Sequence, residues 1–393
     1  MRSVLTVSIL TLCAGVAQAQ PQTFSSGSTG TDGALTYAPS LGTVYFPPSG
    51  LAQRANNIYN FTTITIGAGT TVRVSGWVIN GPVYWLAQSD VTIAGTLDIS
   101  GQPGHPPNNP SLRAPSEPGA GGYSGGVGRA GTGQNATAGN GPGGGAAPAA
   151  NSVAGGGGSY SGSSYLLPLI GGSGGAGSCG SAYGSYAYCA GGGAGGGAIM
   201  IASSTKITIS SGGLINAQGG QGACNYAAGG SGGAIRLISN TITNSGTVYL
   251  AGGGACYGTA GGAGIVRFEG LTVSVGAVNG TTALTSIPYN LALPVGGPST
   301  VTVTSVNNIS INANPFSFPD TTITTGSAVP VVISGVNVPS GTTGNLYIYS
   351  ETAADQIIPF TLTGTLPTTT ATVNVPYPSG GSRGFAKAVW TSQ

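Results

Sequence analysis

The chain has 393 residues, of which only 5% are charged and 74 are glycine, and its net charge is +2. With neither a basic patch nor an acidic tail, it lacks the charge that draws in nucleic acid or an anionic membrane. Scarce Leu, Glu and Lys, with glycine or proline every few residues, exclude a helical fold. Segments rich in Ile, Val, Thr and Tyr exclude a disordered one.

The first element is a leader. MRSVLTVSILTLCAGVAQAQ has one positive charge at Arg2, an apolar run and a small-x-small site at Ala17-Gln18-Ala19. That is the pattern of a secretory signal peptide, 1–19, cleaved after Ala19. Leu12, just before Cys13, is too large for lipoprotein processing, so export without a lipid anchor is expected. No later run is apolar for long enough to span a bilayer, and no membrane insertion is expected after cleavage. Residues 20–60 are polar and turn-rich, with a short strand at Val44 to Phe46 ahead of Pro47-Pro48. They read as a segment capping the open end of a solenoid.

From 61 to 285 the chain repeats. VYWLA (83–87), DVTIA (90–94) and TLDIS (96–100) match IMIA, KITIS and LINAQ, and again IRLI, TITN and VYLA. Each set is three short strands parted by tight turns, the composition of one coil of a parallel β-helix. Glycine blocks precede strands opened by Ile199, Ile235 and Ile265, spaced 36 and 30 residues apart, an imperfect repeat of solenoid length. Aligned on Gly95, Gly212 and Gly246, the coils stack Leu97, Leu214 and Val248 in one inward column and Ile99, Asn216 and Leu250 in another. Asp98, Ile215 and Tyr249 then point outwards. Asn216 is a misfit: either it finds hydrogen-bond partners inside, or the register slips by one there.

Trp85 and Met200 take matching places 115 residues apart, against about 35 for one coil, so a long insertion, about 102–190, separates them. Between Gly119 and Gly197, 31 of 79 residues are glycine, and two conformations are open. The insertion is an irregular excursion from one face, or its glycine runs pack as extended, polyproline-II-like strands bonded laterally. Glycine loses the most entropy on ordering, so packing must compensate. The YSGSSYLLPLI stretch and Tyr183, Tyr186 and Tyr188 are the apolar clamps at hand, and these three tyrosines are also the candidate ligand-facing residues. Residues 286–299 form a proline-bearing linker. From 300 to 393 glycine blocks give way to six or seven alternating strands, the signature of an immunoglobulin-like β-sandwich.

DVTIAGTLDISG, ITISSGGLINAQGGQG and GGSGGAIRLISNTITNSGTV resemble the glycine-rich right-handed parallel β-helix proteins that bacteria export, including adhesin-like ones. The tail resembles the Ig-like domains of bacterial secreted proteins. The resemblance implies an all-β chain: a right-handed parallel β-helix with a glycine-rich insertion, then an Ig-like sandwich, secreted or held at the cell surface. It implies a non-enzymatic surface or matrix protein for adhesion or glycan binding, with extracellular polysaccharide or cell-surface components as partners. A β-helix polysaccharide-degrading enzyme, lyase or glycoside hydrolase, is the first alternative, and a purely structural envelope component the second.

Glycosidic hydrolysis needs a carboxylate pair held a few ångströms apart. Of the acids, Asp90 and Asp98 fall in the first coil and Glu269 at the far end, and Asp98 reads as a solvated outward residue. A lyase needs a basic residue beside an acid cluster holding calcium. Arg73, Arg236 and Arg267 lie on strands without such a cluster; Arg236 and Arg267 read as outward, with Arg267 near Glu269. His105, in GHPPNNP, reads as a loop surface residue. No catalytic residue, metal site or cofactor is assigned. Four cysteines lie beyond the leader, Cys179, Cys189, Cys224 and Cys256, and allow three pairings. Cys224 and Cys256 share a context, GACNY and GACYG, one coil apart, which suits a staple between neighbouring coils. That pairing leaves Cys179 with Cys189, and the rival joins Cys189 to Cys224.

Overall fold

The computed structural model describes residues 23–106, 113–131, 133–182, 184, 189–224, 226–289, 291–294, 299–311, 321–350, 353–377 and 384–390. Residues 1–19, expected to be a leader, and Tyr183, Tyr186 and Tyr188 lie outside them. The described residues form strands, turns and extended segments, with no helix among them.

Fifteen short strands make the solenoid: β1 (Leu35–Tyr37), β2 (Gly42–Tyr45), β3 (Ile58–Phe61), β4 (Ile64–Ile66), β5 (Thr70–Arg73), β6 (Val83–Ala87), β7 (Val91–Ile93), β8 (Thr96–Asp98), β9 (Ala198–Ile209), β10 (Leu214–Asn216), β11 (Ala234–Asn244), β12 (Thr247–Tyr249), β13 (Ile265–Ser274), β14 (Ala277–Asn279) and β15 (Leu284–Ser286). One sheet runs β1-β4-β7-β9-β11-β13-β15, with β3 and β6 alongside; the other runs β14-β12-β10-β8-β5-β2. Every pairing within them is parallel. Because side chains alternate across a strand, the inward set forms one dry core, including Ile66, Val72, Trp85, Ile93, Leu97, Ile201, Ile215, Leu237, Val248 and Phe268. β1 and β2 are themselves paired with β4 and β5, so the segment before residue 61 adds a first coil, and buried Phe46 packs in the core beneath it.

The middle coil corrects the expected register. Ile215, not Leu214, stands between Leu97 and Val248, and Asn216 lies beside Asp98 and Tyr249. Ile215 is fully buried and Leu214 only partly so. The residue equivalent to Gly95 and Gly246 is Gly213, one after the Gly212 of the sequence alignment. At each of these three positions an added Cβ would sit 2.2–2.3 Å from a carbonyl oxygen of the preceding coil. Gly212 is the turn residue, at φ +85°, a conformation that suits glycine. Asn216 thus points outwards, donating to Asp98 Oδ1 at 3.2 Å. The first strand shows the same one-residue offset: Trp85 pairs with Ile201, and Met200 with Tyr84. Ile235 likewise pairs with Ile199 and with Val266 rather than Ile265.

Residues 23–30 run as a strap across the coils. Phe24 exchanges backbone bonds with the Asn240 amide, Ser26 donates to the carbonyl of Ala87, and Ser28 to that of Phe61.

The coils that end in β8, β10 and β12 leave that strand through a glycine block and re-enter at β9, β11 and β13, so these glycine segments leave one corner of the solenoid. The lateral reading of the insertion is the one realised. Residues 171–179 have a threefold pattern: the amides of Gly171, Gly174 and Gly177 bond Gly121, Asn140 and Thr137. Those of Gly172, Gly175 and Ser178 bond Gly196, Gly193 and Ala190, and those of Ala176 and Cys179 bond Gly156 and Val153. A three-residue turn that bonds only sideways is polyproline II geometry. Segments 217–223 and 227–233, and 250–254 and 258–264, extend the array from the next two coils, through bonds such as Gly219 to Ala251 and Gly232 to Gly262. At these glycines the spacing leaves no room for a side chain: an added Cβ would lie 2.3 Å from Ala228 O at Gly175, and 1.9 Å from Gly220 O at Gly193.

The C-terminal strands β16 (Thr300–Val306), β17 (Ile309–Ser310), β18 (Val329–Val336), β19 (Thr343–Ser350), β20 (Gln356–Thr361), β21 (Thr363–Thr365), β22 (Thr368–Val375) and β23 (Gly384–Trp390) form two antiparallel sheets, β17-β16-β18-β22-β21 and β20-β19-β23. They close like a sandwich on Val331, Ile333, Leu346, Ile348, Phe360 and Leu362.

Candidate binding edge of the glycine bundle

The bundle segments run outwards and back, so their turns collect at the end far from the solenoid. At about 3.1 Å per residue, the nine residues 171–179 carry a turn roughly 28 Å from the coils. Two of these turns belong to successive coils, Cys224 to Tyr226 and Cys256 to Tyr257. A third lies between Cys179 and Cys189.

Cys179 is bonded to Cys189, with Cα atoms 5.5 Å apart, and Cys224 to Cys256, at 4.8 Å. The first bond closes one out-and-back hairpin. The second joins the turns of neighbouring hairpins and is exposed at both ends, whereas Cys179 is buried. Two disulfides in one chain mark an oxidising, extracytoplasmic environment.

The residue two after Cys224 and the one just after Cys256 are Tyr226 and Tyr257, whose rings lie 5.6 Å apart at 37°. Both adopt the left-handed backbone region, φ +67° and +66°, and Tyr226 is half-buried. Tyr257 is 79% exposed. A cost of this kind for a non-glycine residue is a feature of sites where the fold imposes a direction on a side chain. Sequence reasoning matched the two cysteine contexts but missed these tyrosines; the repeated Cys-then-Tyr turn was the signal. The expected Tyr183, Tyr186 and Tyr188 lie between Cys179 and Cys189 in sequence and fall outside the described residues.

The charged groups are structural clamps. Asp32 faces Arg54, Asp90 faces Lys206, and Asp98 and Glu117 share Arg73 at 3.2 and 3.0 Å. Asp98 is therefore not the solvated residue expected: it faces outwards but is bound to Arg73 and Asn216. Glu269 sits between Arg236, at 2.8 Å, and Arg267, at 3.1 Å. Arg236 also departs from expectation, since it points away from the solenoid core yet is 1% exposed. Leu166 and Leu169 of the insertion and Leu291 of the linker build a second apolar layer over that face. There Arg236 donates to Leu291 O, while Glu269 accepts from the Tyr289 amide. In the same layer, burial pushes the Tyr84 hydroxyl up to about 12. Asp320 and Glu351 lie outside the described residues. Each described carboxylate is thus paired with a cation, and no cluster of potential metal ligands occurs among the described residues.

His105 is half-buried rather than a free surface residue. It bonds the Pro115 carbonyl, its Nε2 is buried without a partner, and burial holds its pKa below the ordinary value.

One side of the bundle also touches the sandwich. Arg113, buried, pairs with Asp355 and donates to Ser350 O and Asn135 O, and its guanidinium lies 5.7 Å from the Tyr349 ring centre. Gln134 donates to the carbonyls of Ser350 and Ala353. These contacts, 216 to 242 residues apart in sequence, had no sequence signal. Comparison of the chain with protein-family models, with curated proteins and with solved structures finds no match.

Proposed function

We propose that this is an exported, non-enzymatic attachment protein of the adhesin-like β-helix kind, which binds extracellular glycan or cell-surface material through the turns at the far edge of its glycine bundle. The observation that carries the reading is the pair of disulfide-joined turns at Cys224 and Cys256, which present the exposed Tyr257 with the half-buried Tyr226 against it. Tyrosine brings a large contact area at little entropic cost when its backbone is already fixed, and its ring face with a polar hydroxyl suits the mixed surface of a sugar. A bundle core held mainly by backbone bonds lets the turns vary without disturbing the lattice beneath. The paired state of the described carboxylates weighs against glycosidic hydrolysis, which needs one acid free to hold a proton and another free to attack.

The test is binding of the full chain to a glycan array and to intact cells, with Tyr226→Ala/Tyr257→Ala as the comparison. Binding that falls at least about tenfold in the double variant, as for a hot-spot aromatic, supports the reading. Binding that is absent from both surfaces points to a purely structural role and defeats it. Release of reducing ends from a panel of uronate-containing and neutral polysaccharides would replace it with the enzymatic alternative.

A further inference from the structure

The solenoid ends in open sheet edges on both sides. On the C-terminal side these edges are β15, β14 and the second half of β13; on the N-terminal side they are β1 and β2, while β3 is covered by residues 28–33, whose Asp32 amide bonds Asn60 O. At the C-terminal end nearly the whole coil is uncovered: Leu271 is 48% exposed, Val275 43% and Ile287 70%, while Val273 and Val278 are half-buried against the core. At the other end Leu41 is 50% exposed, and Thr36 and Thr43 are exposed on the edge strands.

Proteins ordinarily protect such edges with charges, prolines or bulges, because unpaired backbone groups template further strands. The free strands themselves lack that protection, the nearest N-terminal charges, Asp32 and Arg54, being paired with each other beside β3. Residues 271–286 contain no Asp, Glu, Lys or Arg, and neither do residues 33–53. Pro39, Pro47 and Pro48 lie in turns beside the N-terminal strands, outside them. The glycine bundle is open on the same side as the C-terminal coil. Its last segments expose Thr259, Ala260, Gly262 and Ala263, and an added Cβ at Gly254 would meet nothing within 4 Å.

We propose that the two ends are complementary, and that the occupant of each is the opposite end of a second copy, so that chains stack head to tail along the solenoid axis. Strand polarity dictates this mode. Because every strand of the solenoid is parallel, the free edges at its two ends are opposite edges of the same kind of coil. A copy displaced along the axis continues both sheets in their existing sense. A twofold pairing of two C-terminal ends would instead reverse the strands. Such a head-to-tail contact is heterologous and does not close, so it builds a filament rather than a dimer. It would place the tyrosine-bearing turns in rows along one side, although stacking does not depend on what those turns bind.

Sedimentation velocity of the full chain over a range of micromolar concentrations tests it, with negative-stain microscopy for shape. Leu271→Lys/Val275→Lys blocks the C-terminal end and Leu41→Lys the N-terminal end. All three positions are exposed, so the folded chain tolerates them, which unchanged melting confirms. Wild type should grow without a plateau, each blocked variant should stay monomeric, and an equimolar mixture of the two should give a dimer and nothing larger. A wild type that is monomeric throughout, or one that stops at a dimer, overturns the proposal. So do blocked variants that grow like wild type.

Discussion

The glycine lattice makes a sharp prediction from two substitutions that look alike in sequence. Gly193→Ala puts a methyl group where Gly220 O lies 1.9 Å away, its carbon 2.5 Å and Gln221 O 2.7 Å. All three are backbone atoms of the neighbouring segment and cannot rotate aside. An ordinary contact requires the segments to part by more than an ångström, which breaks the 2.7 Å bond from the Gly220 amide to Ala194 O and stretches that from Ala223 to Gly191 O, already 3.1 Å. Two backbone bonds are worth about 1–3 kcal/mol together, and overpacking adds about 1–3 kcal/mol. Against this stands a gain of about 0.4–1 kcal/mol from the less flexible unfolded chain. The net loss expected is about 1–5 kcal/mol. Gly254→Ala has the same unfolded-state gain with nothing within 4 Å of the new methyl, so it should be neutral or slightly stabilising. Urea unfolding of the full chain, followed by circular dichroism, reads the difference as a shift in midpoint at constant slope. Equal stability of the two variants would refute the backbone-contact account of the bundle.

The register makes a paired prediction: Ile215→Asp should cost several kcal/mol, about the cost of an unpaired charge in an apolar core, and Leu214→Asp far less, read from the same urea curves. His105, half-buried with its Nε2 away from solvent, has a folded pKa held by burial below its unfolded value near 6.5. The unfolded chain therefore takes up the proton first, and stability should fall as pH drops below about 6.5; His105→Gln should flatten that part of a melting-temperature profile. Arg113→Ala leaves Asp355 without its partner in the bundle–sandwich contact, a change costing about 3–5 kcal/mol for buried pairs. It should speed limited proteolysis between residues 286 and 299; an unchanged cleavage rate would mean the contact does not hold the sandwich.

Coils, sheets and cysteine pairs were legible because each rests on a short-range repeat. Apolar alternation marked the strands, and GACNY with GACYG marked two turns one coil apart. The register of the middle coil was not legible, because Gly212 and Gly213 are identical in sequence and differ in task. One makes a turn with positive φ, while the other yields its Cβ position to the carbonyl of Ile93. Choosing the first moved Leu214 inwards and left Asn216 as a misfit, which was the symptom of the slip. The layer over Arg236 was hidden for another reason. Strand alternation tells which side of a sheet a residue faces, but not that residues 166, 169 and 291 return to cover that side. Tyr226 and Tyr257 stayed unnoticed because a tyrosine in a glycine-rich turn reads as a clamp until its direction is known.

The strap at residues 23–30 bears on the order in which the molecule is completed. Phe24 has its partner at Asn240, 216 residues downstream, and Ser26 bonds Ser204, 178 residues downstream. Neither contact exists until β9 and β11 have been laid down, so the first described residues of the chain are among the last to be fastened. During synthesis this end stays undocked while successive coils assemble on one another. Its arrival ties coils that otherwise hold only their immediate neighbours, turning a stack that can fray one layer at a time into one that must loosen several at once.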